Sequence, residues 1–252
     1  MNSIWVIAKN TFKEAIRDRI LYGILGFAVF YLLTDLFFAR LALGDVSMVK
    51  SFGLAGIYVC GVVVTVFLGA SVLYKEIESR TLYFVISKPV TRAEIVLGKF
   101  FGLFAAIALT ISAMAAIYLG VVGYEAREFD MLGLLAILFE LFEMGFFVAL
   151  LLFFSSFASP LTATIYSSIL LFSGHLLELV LENAAQIGGI TLRLVSGAYY
   201  ILPNLEKFNI RGLAAHHTMI SWPVGISVFV YAVAYSTLLL YFAIICFKRR
   251  EL

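Results

Sequence analysis

The stretch from Lys75 to Lys99, KEIESRTLYFVISKPVTRAEIVLGK, is the most charged internal segment of a chain that is otherwise largely apolar. Its charged residues are Lys75, Glu76, Glu78, Arg80, Lys88, Arg92, Glu94 and Lys99, and long apolar runs flank it on both sides. A connector between two membrane spans needs only a few polar residues. We therefore interpret this stretch as a folded docking site on the cytoplasmic face of a membrane protein.

The same stretch predicts two helices joined by a tight turn. No helix breaker occurs from Tyr74 to Ile86, and apolar residues recur there at helical spacing. Pro89 disfavours helical geometry at Lys88 and should end this first helix. Thr91 and Glu94 have the spacing of a capping box, in which the hydroxyl and the carboxylate satisfy unpaired backbone amides, so a second helix should begin there.

Composition restricts the class of protein. The chain has 252 residues, of which 63% are hydrophobic and 13% are charged, whereas soluble domains have about 25% charged residues. The bilayer must therefore be its solvent. Both cysteines, Cys60 and Cys246, fall in apolar runs, so no disulfide framework is predicted. No G-x-x-x-x-G-K-[ST] phosphate loop occurs, so any ATPase is expected in another chain.

Six apolar runs are long enough to cross the hydrocarbon core as helices, since lipid offers no partner to an unpaired backbone amide. They are Ile20 to Ala39, Phe52 to Tyr74, Phe100 to Tyr124, Met131 to Phe154, Leu161 to Leu181 and Trp222 to Phe247. We predict an all-α integral membrane fold with six transmembrane helices. Residues 1–19 have an apolar face and a basic face, which favours an amphipathic helix lying in the headgroup plane.

Lysine and arginine near the span ends set the predicted orientation. They concentrate before the first span, in the Lys75 to Lys99 stretch and after the last span, so these regions and both termini should be cytoplasmic. The short connection from Ser155 to Pro160 predicts a tight hairpin. The longest connection, residues 182–221, is rather apolar, and we expect it to fold back onto the outer membrane surface as a cap.

Four ionisable residues inside predicted spans are candidates for the translocation pathway. Glu140 and Glu143 share one face of the fourth span, and a glutamate in hydrocarbon is costly unless it is protonated, paired or hydrated. They fit a polar or proton-linked lining, or equally a buried contact to a tyrosine, a serine or a partner. His175 and Glu178 continue a polar stripe on the fifth span.

Two weaker patterns accompany these residues. With Glu182, His216 and His217 the polar stripe could hold a metal, but no tight ligand motif is present and no metal site is predicted. Gly98-x-x-x-Gly102 and the small residues around Gly53, Gly56 and Gly61 permit close helix approach, and a permease dimer is one candidate use of them.

The pattern E-x-E-x-x-T-L from Glu76, followed by S-K-P-V-T-R-x-E-I-x-x-G-K from Ser87, resembles the cytoplasmic coupling segment of type-2 ABC exporter permeases. Arg80 departs from the glycine that many members have, and arginine suits a helix at least as well. Pro203 to Asn209, P-N-L-x-x-F-N, is reminiscent of one branch of the family. The resemblance extends over essentially the whole chain.

The resemblance implies a single permease domain over residues 1–252, without catalysis of its own, in the cytoplasmic membrane of a bacterium or archaeon. It implies a second permease copy or a sister permease, and two ATPase subunits that bind ATP and Mg²⁺; no cofactor and no nucleic acid are expected on this chain. The residues that it assigns to ATPase coupling are Glu76, Glu78, Arg80, Thr81, Leu82, Ser87, Lys88, Pro89 and Arg92.

Two other classes of membrane protein are alternatives. An ion-driven secondary transporter would use Glu140 and Glu143, and such transporters usually contain broken helices or internal repeats, of which no convincing case is visible here. An integral-membrane enzyme would need a cluster of His, Asp or Glu at defined depth, and none of the three histidines has a known catalytic spacing.

Overall fold

The computed structural model describes residues 3–17, 22, 26, 28–31, 33, 46–78, 90–216 and 221–249, with side chains for all of these except 70–78 and 249. Regular structure in these ranges is helical, with no strand among them. The helices are α1 (Ser3–Arg17), α2 (Val46–Glu78), α3 (Arg92–Ala126), α4 (Met131–Ser155), α5 (Pro160–Ile187), α6 (Gly189–Ile201), α7 (Arg211–Ala215) and α8 (Trp222–Arg249), with a 3-10 turn at Glu206–Phe208.

Five of these helices, α2, α3, α4, α5 and α8, are long and apolar enough to cross a membrane. Each contains one of the predicted spans, so the prediction of an all-helical, multi-pass membrane protein is confirmed in this part of the chain. The remaining predicted span, Ile20 to Ala39, lies largely outside the described residues. The number six therefore stays a prediction.

Helix α4 is the centre of the bundle. It contacts α2, α3, α5, α7 and α8, and 72% of its most apolar window is buried, against 22% for α5 and α8. A helix that is hydrophobic on all sides is expected at such a position, because every face meets protein. Polar side chains on α4 consequently need partners from the surrounding helices.

The spanning helices alternate in direction, which gives the bundle two distinct ends. We call one of them the charged end; it contains the end of α2, the start of α3 and the end of α8. There the Arg92 Nη1 donates to the Phe247 carbonyl at 2.6 Å. At the opposite end, the Lys50 Nζ donates to Asp130 Oδ1 at 3.0 Å, joining the start of α2 to the loop before α4.

Helix boundaries at the charged end follow the sequence signals. The capping box is confirmed, because the Glu94 backbone amide donates to Thr91 Oγ1 and the Thr91 amide donates to the Glu94 carboxylate at 2.7 Å. The tight hairpin between α4 and α5 is also observed, with Ser159 capping α5. One expectation changes, since Tyr74 to Glu78 continue α2 instead of beginning a separate short helix.

Helix α1 packs on the start of α3 through two glycines. A Cβ at Gly102 would lie 2.6 Å from the Ala8 carbonyl oxygen, and one at Gly98 would lie 2.7 Å from the side chain of Ile7. The Gly98-x-x-x-Gly102 surface is therefore covered within the chain, and its predicted use in a dimer is wrong. Ala8, Thr11 and Ala15 of α1 are buried here, while the basic face stays exposed; the location of α1 in the headgroup plane stays a prediction.

Residues 203–215, which we call the re-entrant segment, descend from the opposite end into the bundle. The buried residues of the segment are Asn204, Leu205, Phe208, Ile210, Ala214 and Ala215. It contacts Glu140 and Tyr231, each about nine residues or roughly 14 Å from the start of its own helix. Irregular backbone at such depth is tolerated only where protein buries it. The predicted cap thus lies partly inside the bundle, whereas α6 has no buried residue.

We predict that Gly102→Ala lowers the free energy of unfolding by about 1–3 kcal/mol, because the added methyl group overpacks the α1–α3 contact. Gly120→Ala is the matched control on the same helix, since a Cβ there meets nothing within 4 Å. It should be neutral or stabilising by about 0.5–1 kcal/mol. Denaturant unfolding in lipid–detergent micelles measures both, and equal effects would contradict the close packing.

Candidate functional site: a buried polar network at the re-entrant segment

The two glutamates of α4 lie at the core of the bundle. Glu140 and Glu143 are 2% and 1% exposed, and they share one face of the helix, as their spacing predicts. Carboxylates at this depth are costly unless they are protonated or have partners. The surroundings of the two residues differ sharply, although only one helical turn separates them.

Glu143 is well provided with hydrogen-bond partners. The Tyr58 hydroxyl of α2 donates to its Oε1 at 3.0 Å, and the His175 Nε2 of α5 lies 2.8 Å from the same oxygen. The Tyr58 hydroxyl also lies 2.8 Å from His175 Nε2. Three spanning helices therefore meet at one carboxylate oxygen, which fixes α2 and α5 relative to α4.

His175 links this cluster to the re-entrant segment. Its second ring nitrogen, Nδ1, lies 3.1 Å from Oε2 of Glu206 in the 3-10 turn. An imidazole donates at both nitrogens only when it carries two protons. With both glutamates ionised, the observed geometry therefore matches an imidazolium between two carboxylates, with Glu143 on one side and Glu206 on the other.

Arg211, the only arginine of the re-entrant segment, is part of the network. Its Nε donates to Asn209 Oδ1 at 2.9 Å, and its guanidinium lies over the Tyr58 ring with 3.9 Å between Cζ and the ring centroid. This stacking is a favourable cation–π contact. Glu140 Oε1 is 3.9 Å from the same Nε, which is an ion-pair distance but too long for a hydrogen bond.

Asn204 anchors the segment at its other end. Its side-chain amide donates to Glu178 Oε1 at 2.8 Å and to the Tyr199 hydroxyl at 3.1 Å. Its backbone amide donates to the Tyr231 hydroxyl of α8 at 2.7 Å, and its Oδ1 accepts from the Glu206 backbone amide. The buried polar groups of this turn are thus satisfied by α5, α6 and α8.

A glycine lets the segment approach α5. The Leu205 backbone amide donates to the Gly174 carbonyl at 3.1 Å, and a Cβ at Gly174 would lie 2.7 Å from the Leu205 side chain and 2.9 Å from the Pro203 oxygen. Any larger residue would push the segment away. The position of His175, the next residue, depends on the same close contact.

A second buried ionic cluster lies at the end of the bundle that is opposite the charged end. Asp130 accepts from Lys50 at 3.0 Å, from the Tyr118 hydroxyl at 2.8 Å and from the Gly133 backbone amide at 3.2 Å. Asp130 also caps α4. Sequence reasoning missed this cluster, although an aspartate directly before an apolar helix is a recognisable N-cap signal.

The residues predicted to line the pathway are brought together, because Glu143, His175 and Glu178 join one network and Glu140 lies beside it. Sequence reasoning missed Tyr58, Asn204, Glu206, Asn209 and Arg211 as their partners. Within the described residues, no group of three or more His, Cys, Asp or Glu has the arrangement of a metal site.

The residues predicted to couple to an ATPase are only partly described. Glu76 and Glu78 lie in the last turn of α2, and Arg92 begins α3, where it binds the Phe247 carbonyl and lies 5.3 Å from the centroid of that ring. The other predicted coupling residues, Arg80, Thr81, Leu82, Ser87, Lys88 and Pro89, lie outside the described residues.

Apolar grooves run along α8, apart from the polar network. Two grooves of about 540 and 640 Å³ lie between α8 and its neighbours α3 and α4. Phe142 and Phe229 line both of them, so together they extend from Trp222 to Ile244. Their walls are almost entirely hydrocarbon, as expected for surface that faces lipid.

Five helices that are long and apolar enough to cross a membrane, packed around the buried α4, indicate a multi-pass integral membrane protein. The chain belongs to the ABC-2 transporter family, since the family model described as "ABC-2 family transporter protein" matches residues 5–252. It is thus a membrane permease subunit of an ABC transporter, and an ion-driven secondary transporter is not favoured. A comparison with curated proteins found no significant match.

We predict that a double-mutant cycle with His175→Gln and Glu206→Gln, measured on the free energy of unfolding, gives a coupling energy of about 1–2 kcal/mol between the two residues. The reason is the charge-assisted contact that joins α5 to the re-entrant segment. The cycle of His175→Gln with Glu182→Gln is the control, because Glu182 is exposed on the same helix. Equal coupling in both cycles would show that the contact contributes nothing specific.

Proposed function

We propose that this permease works in an ATP-driven exporter, as a dimer or with a sister permease, and that separate ATPase subunits supply the energy. The observation that carries the proposal is the re-entrant segment, which fills the bundle from the end opposite the charged stretch. A permease driven from one end and closed at the other needs such a gate. Withdrawal of residues 203–215 would open a polar pathway beside Glu140 and Glu143.

In this proposal the ATPase binds the stretch from Lys75 to Lys99. Glu76 and Glu78 continue α2, and α2 also carries Tyr58 about 27 Å away along the same helix. A push at the charged end therefore reaches the polar network through a continuous helix. The ATPase pair has two arrangements in this proposal. Nucleotide drives the push only because it binds one of these arrangements more tightly than the other.

The proposed orientation places the charged end and both termini in the cytoplasm of a bacterium or archaeon. It is supported by the basic residues near the helix ends, which favour the cytoplasmic side. The re-entrant segment then faces outwards, as an outer gate requires. This chain performs no chemistry in the proposal, and ATP with Mg²⁺ binds to the partner subunits.

We predict that Glu78→Lys abolishes stimulation of the ATPase by the permease while membrane insertion stays normal, because a charge is reversed at the docking surface. The co-expressed complex is purified through the permease, and ATP hydrolysis and the amount of bound ATPase are measured. Glu128→Lys is the matched control, since Glu128 is exposed at the opposite end of the bundle. Full stimulation with Glu78→Lys would refute docking at this stretch.

The orientation is tested by cysteine labelling in intact cells, after Cys60 and Cys246 are replaced. Glu128→Cys should react with a membrane-impermeant maleimide from outside. Lys9→Cys, which is exposed on α1, should react only after the cells are permeabilised. The reverse pattern would place the charged end outside and would exclude an intracellular ATPase partner there.

A further inference from the structure

Glu140 differs from every other acidic residue of the polar network. It is 2% exposed, and neither of its carboxyl oxygens accepts a hydrogen bond from the described part of the chain. Glu143, Glu178 and Glu206 each accept at least one short hydrogen bond. An ionised carboxylate without donors in a membrane interior costs several kcal/mol, so the charged form of Glu140 is strongly disfavoured.

Arg211 does not provide the missing hydrogen bond. Its Nε–H is directed to Asn209 Oδ1 at 2.9 Å and lies 3.9 Å from Glu140 Oε1. One face of its guanidinium lies over the Tyr58 ring. Asn209 is itself fixed by its amide, which donates to Glu206 Oε1 at 2.7 Å. The arginine therefore lies at ion-pair distance from Glu140 without donating a hydrogen bond to it.

The charges of the network cancel in one protonation state. Glu143 and Glu206 face the two nitrogens of His175, which donates to both only as the imidazolium. Two ionised glutamates are then balanced by His175 and Arg211. An ionised Glu140 would add a third, buried negative charge against these two positive charges, although Arg211 lies 3.9 Å from it. Glu178 and Lys207 lie at the rim, where Glu178 binds Asn204 and the exposed Lys207 covers Tyr231.

We propose that Glu140 is a proton-binding site, neutral while the re-entrant segment is seated, and that Glu143 carries the charge of the pair. The groups that face it are Arg211 from α7, Tyr58 from α2 and, through Glu143, His175 from α5. The proton comes from water. With Glu140 neutral, Arg211 leaves with the segment without stranding a carboxylate in the core, so the gate opens at lower cost.

Infrared spectroscopy of the permease purified in a detergent without ester or carboxyl groups tests the proposal. Exposed carboxyl groups are ionised at neutral pH, so a carboxylic-acid carbonyl band then reports buried, protonated acids. We expect this band in the wild-type protein, its loss in Glu140→Gln, and no change in Glu178→Gln. Arg211→Gln should retain the band. A band that is absent from the wild type and appears only in Arg211→Gln would establish an ion pair and overturn the proposal.

Thermal unfolding of two isosteric variants gives a second, independent readout. Glu140→Gln should leave the midpoint unchanged, because the amide replaces a neutral acid. Glu143→Gln should lower it, since His175 and Arg211 then exceed the remaining negative charge. A loss in Glu140→Gln as large as that in Glu143→Gln would contradict a neutral Glu140. Neither experiment involves an ATPase, so failure here leaves the proposed function intact.

Discussion

Every polar group that enters the membrane interior outside a regular helix must find a partner in the protein. The re-entrant segment meets this constraint residue by residue. Asn204 binds Glu178 and the Tyr231 hydroxyl, while Glu206 binds His175. Without these partners the segment would be expelled to the surface. The polar residues of α5 and α8 thus allow the re-entrant segment, which is irregular apart from the 3-10 turn and α7, to be stable at this depth.

Close packing makes these bonds possible. Gly174 lets the segment lie against α5, which brings Glu206 within reach of His175. At the other end of the bundle, Gly98 and Gly102 allow α1 to approach α3. Small residues are the usual means of bringing helices together in membranes, where no hydrophobic effect drives association. In both places the glycine determines whether a neighbouring contact exists at all.

Local signals were predictable from the sequence, and long-range partners were not. The helices, the capping box at Thr91 and the shared face of Glu140 and Glu143 follow from spacing of a few residues. The partners Tyr58 and Arg211 are separated from α4 by long stretches of chain, and no periodic pattern relates them to it. The depth of residues 203–215 was likewise hidden, because an apolar connection fits the membrane surface and the bundle interior equally well.

In the proposed function, the polar network receives movement that begins at the charged end of the bundle. Helix α2 is continuous from Tyr58 to Glu78, and Tyr58 contacts both Glu143 and His175. A tilt of α2 relative to α5 must disturb both contacts together, because they share the Tyr58 hydroxyl. Packed interfaces of this kind tend to switch between discrete arrangements and not to deform gradually. In the proposed open arrangement Arg211 has withdrawn with the re-entrant segment. A neutral Glu140 needs no counter-ion there, whereas an ionised Glu140 would be left without one.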